Sequence, residues 1–412
     1  MNGFHFKNHR WYADNISLSK IAEKFGTPSY IYSLTTFEDR FKEIDQAYRS
    51  VPHLVAYSLK ANSSLSVVKA LARLGSGADV VSGGELFRAL KAGVPADKII
   101  YAGVGKTDEE IAYALREKIR YFNVESLPEI EAINEVARKL KRVASIAIRF
   151  NPDVDPHTHH YITTGKKETK FGIDLGDMQK VIQTVRACTH VKWTAIHAHI
   201  GSQMTTIGPV GKAAKIVGDL VIRLRQEGFP IYTVNLGGGY GIDYQGEKPP
   251  KASQYAALVI PVIKKLNATL ILEPGRFISG NSGVLLTRVI YVKQSGSKTF
   301  YIVDSGMGDL IRPSLYEAYH RIAPVIGSQK AAMKVDVVGP ICESGDFLAK
   351  DRQLPKVKRG DLLVVFSAGA YGSVMGSTYN SRPLAPEIVV RGSKFSIARR
   401  RQTIQDLIRL EM

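Results

Sequence analysis

With only two cysteines in 412 residues, Cys188 and Cys342, the chain has no disulfide framework, and neither thiol stands at a metal-ligand spacing. Long apolar runs are missing too. The longest, Tyr255 to Ile263, contains Pro261 and falls far short of the roughly 20 residues a membrane-spanning helix needs. The stretch from Met1 to Asp14 has no apolar core of the kind a secretory signal carries, which points to the cytoplasm. No internal repeat, low-complexity tract or linker interrupts the sequence. Acidic residues are the scarce charge: 38 Asp and Glu against 56 Lys and Arg, a net of +18. Such a balance raises nucleic acid as a partner. However, the basic residues are dispersed, with modest clusters at Arg138–Arg142 and Arg399–Arg401 and no helix-turn-helix, zinc-finger or aromatic-interleaved basic motif. Solvated basic faces are the simpler reading, so neither nucleic acid nor membrane is expected, and no metal.

What remains is ordinary globular composition, 44% apolar and 23% charged, at a length that suggests two domains. From residue 36 to 281 short β-branched runs alternate with helical patterns, the signature of a parallel sheet with crossover helices. The predicted strands are Leu54–Leu59, Ala78–Val81, Lys98–Ala102, Tyr121–Val124, Ser145–Phe150, Trp193–His199, Thr233–Leu236 and Thr269–Leu272. Eight is the number that closes a (β/α)8 TIM-type barrel. Ser82, Thr107 and Ser126 each precede a glutamate by three residues, the spacing of a capping box at a helix start. Gly93 is a plausible stop for the first of these helices. Beyond residue 282 the pattern changes to strand-like runs punctuated by Gly, Pro and Asp, which predicts a second, mainly β domain over 282–412. Residues 1–35, with the strand-like Tyr30–Tyr32, fit either domain on pattern alone.

Chemistry-bearing residues fall at the ends of the predicted barrel strands, where (β/α)8 enzymes build their sites. Lys60 follows the first, His199 ends the sixth, Gly237, Gly238 and Gly239 follow the seventh, and Glu273 follows the eighth, with Gly275 and Arg276 just beyond. Glycines there let backbone N–H groups approach phosphate oxygens. A strand-end lysine is usually solvated and a glycine triplet usually a turn; their joint placement is what argues otherwise. Two nucleotide motifs fail on inspection. Gly105-Lys106-Thr107 lacks the P-loop glycine five positions earlier, where Ile100 stands, and Ile242 occupies the third glycine position of a dinucleotide fingerprint.

The runs YSLKAN at 57–62, KFGI at 170–173, HAHIGSQ at 197–203, LGGGYG at 236–241, EPGR at 273–276, RPSLY at 312–316, CESGD at 342–346 and YNSRP at 379–383 resemble the fold-type III pyridoxal-phosphate decarboxylases, and within them the diaminopimelate decarboxylase family. The resemblance covers nearly the whole chain and implies a cofactor-binding barrel at 36–281 with a β-rich domain from 1–35 and 282–412. It implies pyridoxal 5'-phosphate held covalently by Lys60, with Glu273 at the pyridine nitrogen, His199 against the ring face, and Ser202, Gly237, Gly238, Gly239, Gly275 and Arg276 around the phosphate. Tyr371 would contact cofactor or substrate, and Arg149 would support one or the other. Cys342 would be the proton donor, entering from the partner subunit of a homodimer with composite sites. Cys188, by contrast, reads as a small buried hydrophobe.

The implied reaction is decarboxylation of meso-2,6-diaminopimelate at its D-centre to L-lysine and CO2. Arg276, Arg312 and Tyr316 would take the distal carboxylate, for which guanidinium has the fork geometry, and Glu343 the distal ammonium. Relatives acting on ornithine usually carry Cys-Asp where this chain has Cys342-Glu343, and alanine racemases place arginine where it has Glu273. The competing readings are a related decarboxylase of D-lysine, D-ornithine or another basic amino acid, a non-catalytic cofactor carrier, and a basic nucleic-acid-binding module.

Overall fold

The protein, described from a computed structural model over residues 3–152, 170–327 and 331–411, divides into two compact units. One comprises residues 1–39, 243–247 and 278–412; the other comprises 40–242 and 248–277.

The N-terminal residues form three short antiparallel strands, β1 (Phe4–Lys7), β2 (Arg10–Ala13) and β3 (Ile16–Ser17). A fourth strand, β4 (Ser29–Ser33), is fully buried and belongs to the β-rich unit. Sequence pattern does not assign Tyr30–Tyr32; the pairing does, because β4 lies between the strands Gly283–Ser295 and Glu387–Arg391.

The second unit is a closed parallel barrel. Its strands are β5 (His53–Ser58), β6 (Gly77–Val80), β7 (Ile99–Tyr101), β8 (Tyr121–Val124), β9 (Ala144–Asn151), β11 (Val191–His197), β12 (Thr233–Asn235) and β13 (Thr269–Leu272), with the two-residue β10 (Ile173–Asp174) added on β9. Pairing of β13 with β5 and of β8 with β9 closes the ring. Ala56, Ile100, Tyr121, Ala147, Ala195 and Ile271 pack together, with Leu54 against them, as a layer of the interior. Small residues on several strands leave room for Tyr121 and the branched side chains, so the barrel is filled rather than open.

Helix starts explain part of the register. Ser82 and Ser126 accept from the N–H groups of Glu85 and Glu129, but only Thr107–Glu110 closes the reciprocal capping box. Glu85 instead accepts from Val81 N–H at 2.9 Å and Glu129 from Glu125 N–H at 2.7 Å, each tying its helix to the end of the preceding strand. Gly93 follows the helix Gly83–Lys91 at φ +87°, where its missing side chain permits the left-handed turn. Lys106, the residue of the rejected P-loop, is buried against Glu129 at 2.5 Å and also donates to the carbonyls of Gly103 and Asn123.

In the β-rich unit β14 (Gly283–Ser295) is the central strand, pairing with β4, with β15 (Lys298–Val303) and with β19 (Leu362–Val365). The sheet extends from β15 through β17 (Ala332–Val338) to β18 (Phe347–Pro355), and from β4 through β20 (Glu387–Arg391) to β21 (Lys394–Arg399); β16 (Ile322–Pro324) pairs with β19. Ile31, Val284, Leu286, Val364, Phe366, Ile388 and Val390 build its core with Phe4, Ile16, Leu18 and Ile21. The basic clusters are partly consumed in this framework and on helix surfaces. Arg401 donates to the carbonyls of Phe25 and Pro28, Arg399 pairs with Glu387, and Arg138 pairs with Glu135.

Candidate active site

Strand alternation sends every second side chain into the barrel. Two positions beyond the apolar layer, the same parity delivers Ser58, Asn123, Arg149, His197 and Glu273 from the successors of Ala56, Tyr121, Ala147, Ala195 and Ile271. All five are buried, as are Asp79 in β6 and Asn235 at the end of β12. A polar layer therefore lies on the apolar one at the C-terminal end of the strands. Burying that many polar groups costs free energy unless they satisfy one another.

Glu273 is the centre of this layer. Its Oε1 accepts from Asn235 Nδ2 at 2.6 Å and from Asn123 Nδ2 at 3.1 Å, while Oε2 lies 3.3 Å from Nε2 of His197. Burial alone would push its pKa up, but the His197 imidazole, the Lys60 ammonium and the Asn235 hydrogen bond outweigh it and hold the carboxyl well below the usual range. Asn235 is itself fixed: Nδ2 also donates to the Tyr121 hydroxyl, and Oδ1 accepts from Gly237 N–H at 2.8 Å. The carboxylate is thus rigidly connected to the glycine loop.

Lys60 sits in a single helical turn, Leu59–Ala61, directly after β5. Its ammonium is 2.8 Å from Oδ2 of Asp79, which also accepts from Ser58 Oγ at 2.5 Å. Asp79 is wholly buried; burial raises its pKa and the ammonium of Lys60 opposes the rise. Beside it, Glu85 is pushed up to about 7, mainly by burial. On the other side of the layer, Arg149 makes a two-pronged pair with Glu125 at 3.0 and 3.1 Å, and Glu125 also accepts from Gly172 N–H at 2.8 Å. This Arg149–Glu125 pair places the KFGI run beside the strand ends.

His199 lies two residues past the end of β11, not in the strand, because from Ala198 the chain turns toward the loop after β12, where Met204 pairs with Tyr240. Nδ1 of His199 accepts from Gly238 N–H at 3.2 Å, so the proton of the neutral ring is on Nε2. Burial, Arg149 and Lys60 all depress its pKa well below the usual value, which keeps that ring neutral. Gly237 has φ +64° and a Cβ there would lie 2.4 Å from His199 Nδ1; Gly239 has φ +99° and a Cβ would meet Gly201 O at 2.6 Å. No other residue fits these two turns without displacing the loop. Ser202 Oγ accepts from both Nε and Nη2 of Arg276 at 3.3 Å. Lys60, His199, Ser202, the three glycines, Glu273 and Arg276 thus all belong to the barrel unit.

These residues fit pyridoxal phosphate. A lysine side-chain amine suits an aldehyde, a buried carboxylate kept anionic suits a protonated pyridine nitrogen, a neutral imidazole suits a ring face, and glycine turns with a serine and an arginine suit a phosphate. Nδ1 of His197 and Oδ1 of Asp79 are buried without a hydrogen-bond partner among the described residues, polar capacity left over at this layer.

The β-rich unit carries the remaining candidates. Arg312 is buried at the start of the helix Arg312–Tyr316, with its guanidinium 5.7 Å from the ring centroids of both Tyr316 and Tyr244. Cys342 and Glu343 are exposed, and Cys342 N–H donates to Asn380 Oδ1 at 2.8 Å. Asp346, close to Cys342 in the CESGD run, is buried and accepts from Met307 and Ile341 N–H, both at 2.6 Å. Tyr371 is partly buried with φ +54°. Sequence reasoning gave no role to Asp79, Asn123, His197 or Asn235, although the inward parity of β8, β11 and β12 marks three of them. Cys188 is partly buried, and burial raises its thiol pKa.

Comparisons with known proteins agree with this chemistry. The family described as "Pyridoxal-dependent decarboxylase, pyridoxal binding domain" matches residues 34–280. A diaminopimelate decarboxylase of Aquifex aeolicus is 45% identical over 98% of this chain and 96% of its own length. One of Haemophilus influenzae is 43% identical over 100% and 99%. The solved diaminopimelate decarboxylase of Helicobacter pylori complexed with L-lysine superposes with a TM-score of 0.92 at 40% identity, covering 95% of this chain and 98% of its own.

Proposed function

The chain belongs to the pyridoxal-dependent decarboxylases, in the diaminopimelate decarboxylase family, and from that premise we infer that it converts meso-2,6-diaminopimelate to L-lysine and CO2 by decarboxylation at the D-centre. It is a carbon–carbon lyase that uses pyridoxal 5'-phosphate. The observation that carries the reading is likeness to diaminopimelate decarboxylases across both units rather than over the barrel alone. Bound pyridoxal phosphate supplies an electron sink for the pair left behind when a Cα–carboxylate bond breaks.

In this reading each residue of the chain has a separate task. Lys60 would hold the cofactor covalently through its aldehyde, and its amine would be free again when the amine of the substrate takes that place. Glu273, held anionic by Asn235, Asn123 and His197, keeps a proton on the pyridine nitrogen. His199 would support the ring, and Ser202, Gly237, Gly238, Gly239, Gly275 and Arg276 would receive the phosphate. Arg276, Arg312 and Tyr316 bind the distal carboxylate of the substrate, Glu343 its ammonium, and Tyr371 touches cofactor or substrate. The Cys342 thiol delivers the proton that replaces CO2.

Exposure of Cys342 and Glu343 supports a homodimer in which each copy lends this pair to the other's site. No helix among the described residues is long and apolar enough to cross a membrane, and the two thiols are unpaired, which suits a reducing compartment such as the cytoplasm.

The deciding experiment measures CO2 release with added pyridoxal phosphate from meso-diaminopimelate, D-lysine, L-ornithine and L-arginine side by side. Release from meso-diaminopimelate, with L-lysine formed, is expected; preferential release from a one-carboxylate substrate would overturn the specificity.

Cys342→Ala is expected to lower turnover by about 10²–10⁴-fold, the range for loss of a positioned proton donor, with cofactor still bound. Mixed with Lys60→Ala protein and allowed to exchange subunits, it should recover roughly a quarter of wild-type activity, because half the dimers then hold one intact site. No recovery on mixing would remove the composite site.

A further inference from the structure

The distal carboxylate is assigned to Arg312, but a guanidinium on a flexible stem discriminates by geometry only if something fixes its plane. Within the β-rich unit His320 is wholly buried, and its Nδ1 is 2.9 Å from the carbonyl oxygen of Phe366. A carbonyl can only accept, so Nδ1 carries the ring proton and Nε2 presents a lone pair. That nitrogen lies 3.3 Å from Nε of Arg312, which can only donate. On the same guanidinium, Nη2 donates to the hydroxyl of Tyr244 at 3.3 Å. Tyr244 and His320 support each other in turn, their rings meeting edge-on at 5.7 Å and 84°. Two acceptors on two chain segments, one with its tautomer set by the backbone of Phe366, therefore hold the head group of Arg312.

We propose that His320 and Tyr244 are positioning residues for substrate specificity: they orient Arg312 so that it reads the carboxylate of the amino-acid group at the far end of the substrate. This rests on the assignment of Arg312 to that carboxylate. Neither residue needs to touch the reacting carbon, so binding of the far end should suffer and the chemical step should not. Asn or Gln at position 320 can offer an oxygen acceptor, but without the rigid ring that spans Phe366 O and Arg312 Nε.

The test uses the full-length holoenzyme carrying His320→Gln, Tyr244→Phe, Arg312→Ala, and each of the first two combined with the third. L-Lysine, which keeps the far-end carboxylate, and cadaverine, which has no carboxylate, serve as inhibitors. Loss of one hydrogen bond to a charged group corresponds to about tenfold in binding. Accordingly His320→Gln and Tyr244→Phe should each raise the KM for meso-diaminopimelate and the Ki for L-lysine by about tenfold. Turnover should change by less than about threefold, and inhibition by cadaverine and the cofactor absorbance should be unaltered. Added to Arg312→Ala, neither should weaken L-lysine binding further, because their effect passes through the arginine. Equal weakening of cadaverine, or full additivity with Arg312→Ala, would show a merely structural role and overturn the proposal. Should His320→Gln fail to fold, Tyr244→Phe removes only a hydroxyl and decides on the same criteria. If Arg312→Ala itself leaves L-lysine binding unchanged, the assignment of Arg312 fails. If Arg312→Ala weakens it while both positioning variants do not, the assignment stands and this proposal alone fails.

Discussion

Substituting Lys60 by alanine is expected to abolish the visible absorbance of the covalently held cofactor and to lower turnover by at least about 10⁴-fold, the upper range for loss of one acid–base group, since anchoring is lost with it. The geometry gives the reason. Lys60 is the ammonium that stands over the buried Asp79, 2.8 Å from its carboxylate, at the end of the strand that neighbours Glu273 in the barrel. Lys106, a second lysine whose side chain is buried in the barrel unit, is held instead by Glu129 and two carbonyls. Loss of the charge also leaves Asp79 buried without its cation, and its pKa should rise further. The measurement is an absorbance spectrum of the variant with added pyridoxal phosphate, alongside the CO2 assay. Retention of the absorbance would remove Lys60 from its role. A spectrum that is lost while thermal unfolding stays close to wild type would separate chemistry from stability.

Much of this arrangement was legible before any coordinates. Eight strands were placed to within two residues, because β-branched runs bounded by helix starts carry a strong local signal. Their ends were less legible. Pattern extends the sixth barrel strand to His199, whereas it stops at His197, since a turn toward the neighbouring loop is made by tertiary contacts and has no local signature. Family resemblance assigns residues to the cofactor in advance; it says nothing of those that hold them in place. Asn123 and Asn235 look like solvated amides in a one-dimensional reading, yet the barrel makes them the two donors to one carboxylate oxygen. His197 is in the HAHIGSQ run, but the family resemblance assigns a role only to His199. Counting inward from Ala195 would have placed it in the site. In the β-rich unit the reverse happened. Asp346 stands close to Cys342 in the CESGD run, yet its carboxylate is spent on the backbone N–H groups of Met307 and Ile341. Proximity along the chain is a weak guide where turns need acceptors. The basic surplus is similar: Arg401 and Arg142 serve as donors to carbonyls, a structural use that net charge cannot distinguish from a binding surface.

Glu273→Gln should be the second large loss, about 10²–10³-fold in turnover, comparable to removing one preorganised electrostatic group from an active site. Glutamine preserves the volume but removes the negative charge that would keep a pyridine nitrogen protonated, so the electron pair released with CO2 has a poorer acceptor. It also reverses a hydrogen bond. Asn235 and Asn123 both aim amide donors at Oε1, and a glutamine can offer them its oxygen only by turning its own amide donors toward Nε2 of His197. The variant should therefore fold with a modest change in stability and bind cofactor, yet turn over slowly at every pH. The sign of the pH effect follows from the depressed pKa of Glu273. Its stabilising charge is fully present above the unfolded-state value and is lost only as pH falls through the lower folded-state value. Between pH 6 and 9 the wild-type carboxylate does not titrate, and the ratio of wild-type to variant turnover should stay flat across that range. A ratio that collapses toward one at the acid end of that window would mean that Glu273 takes up a proton near neutrality, and its place as the permanent anion of the site would be lost.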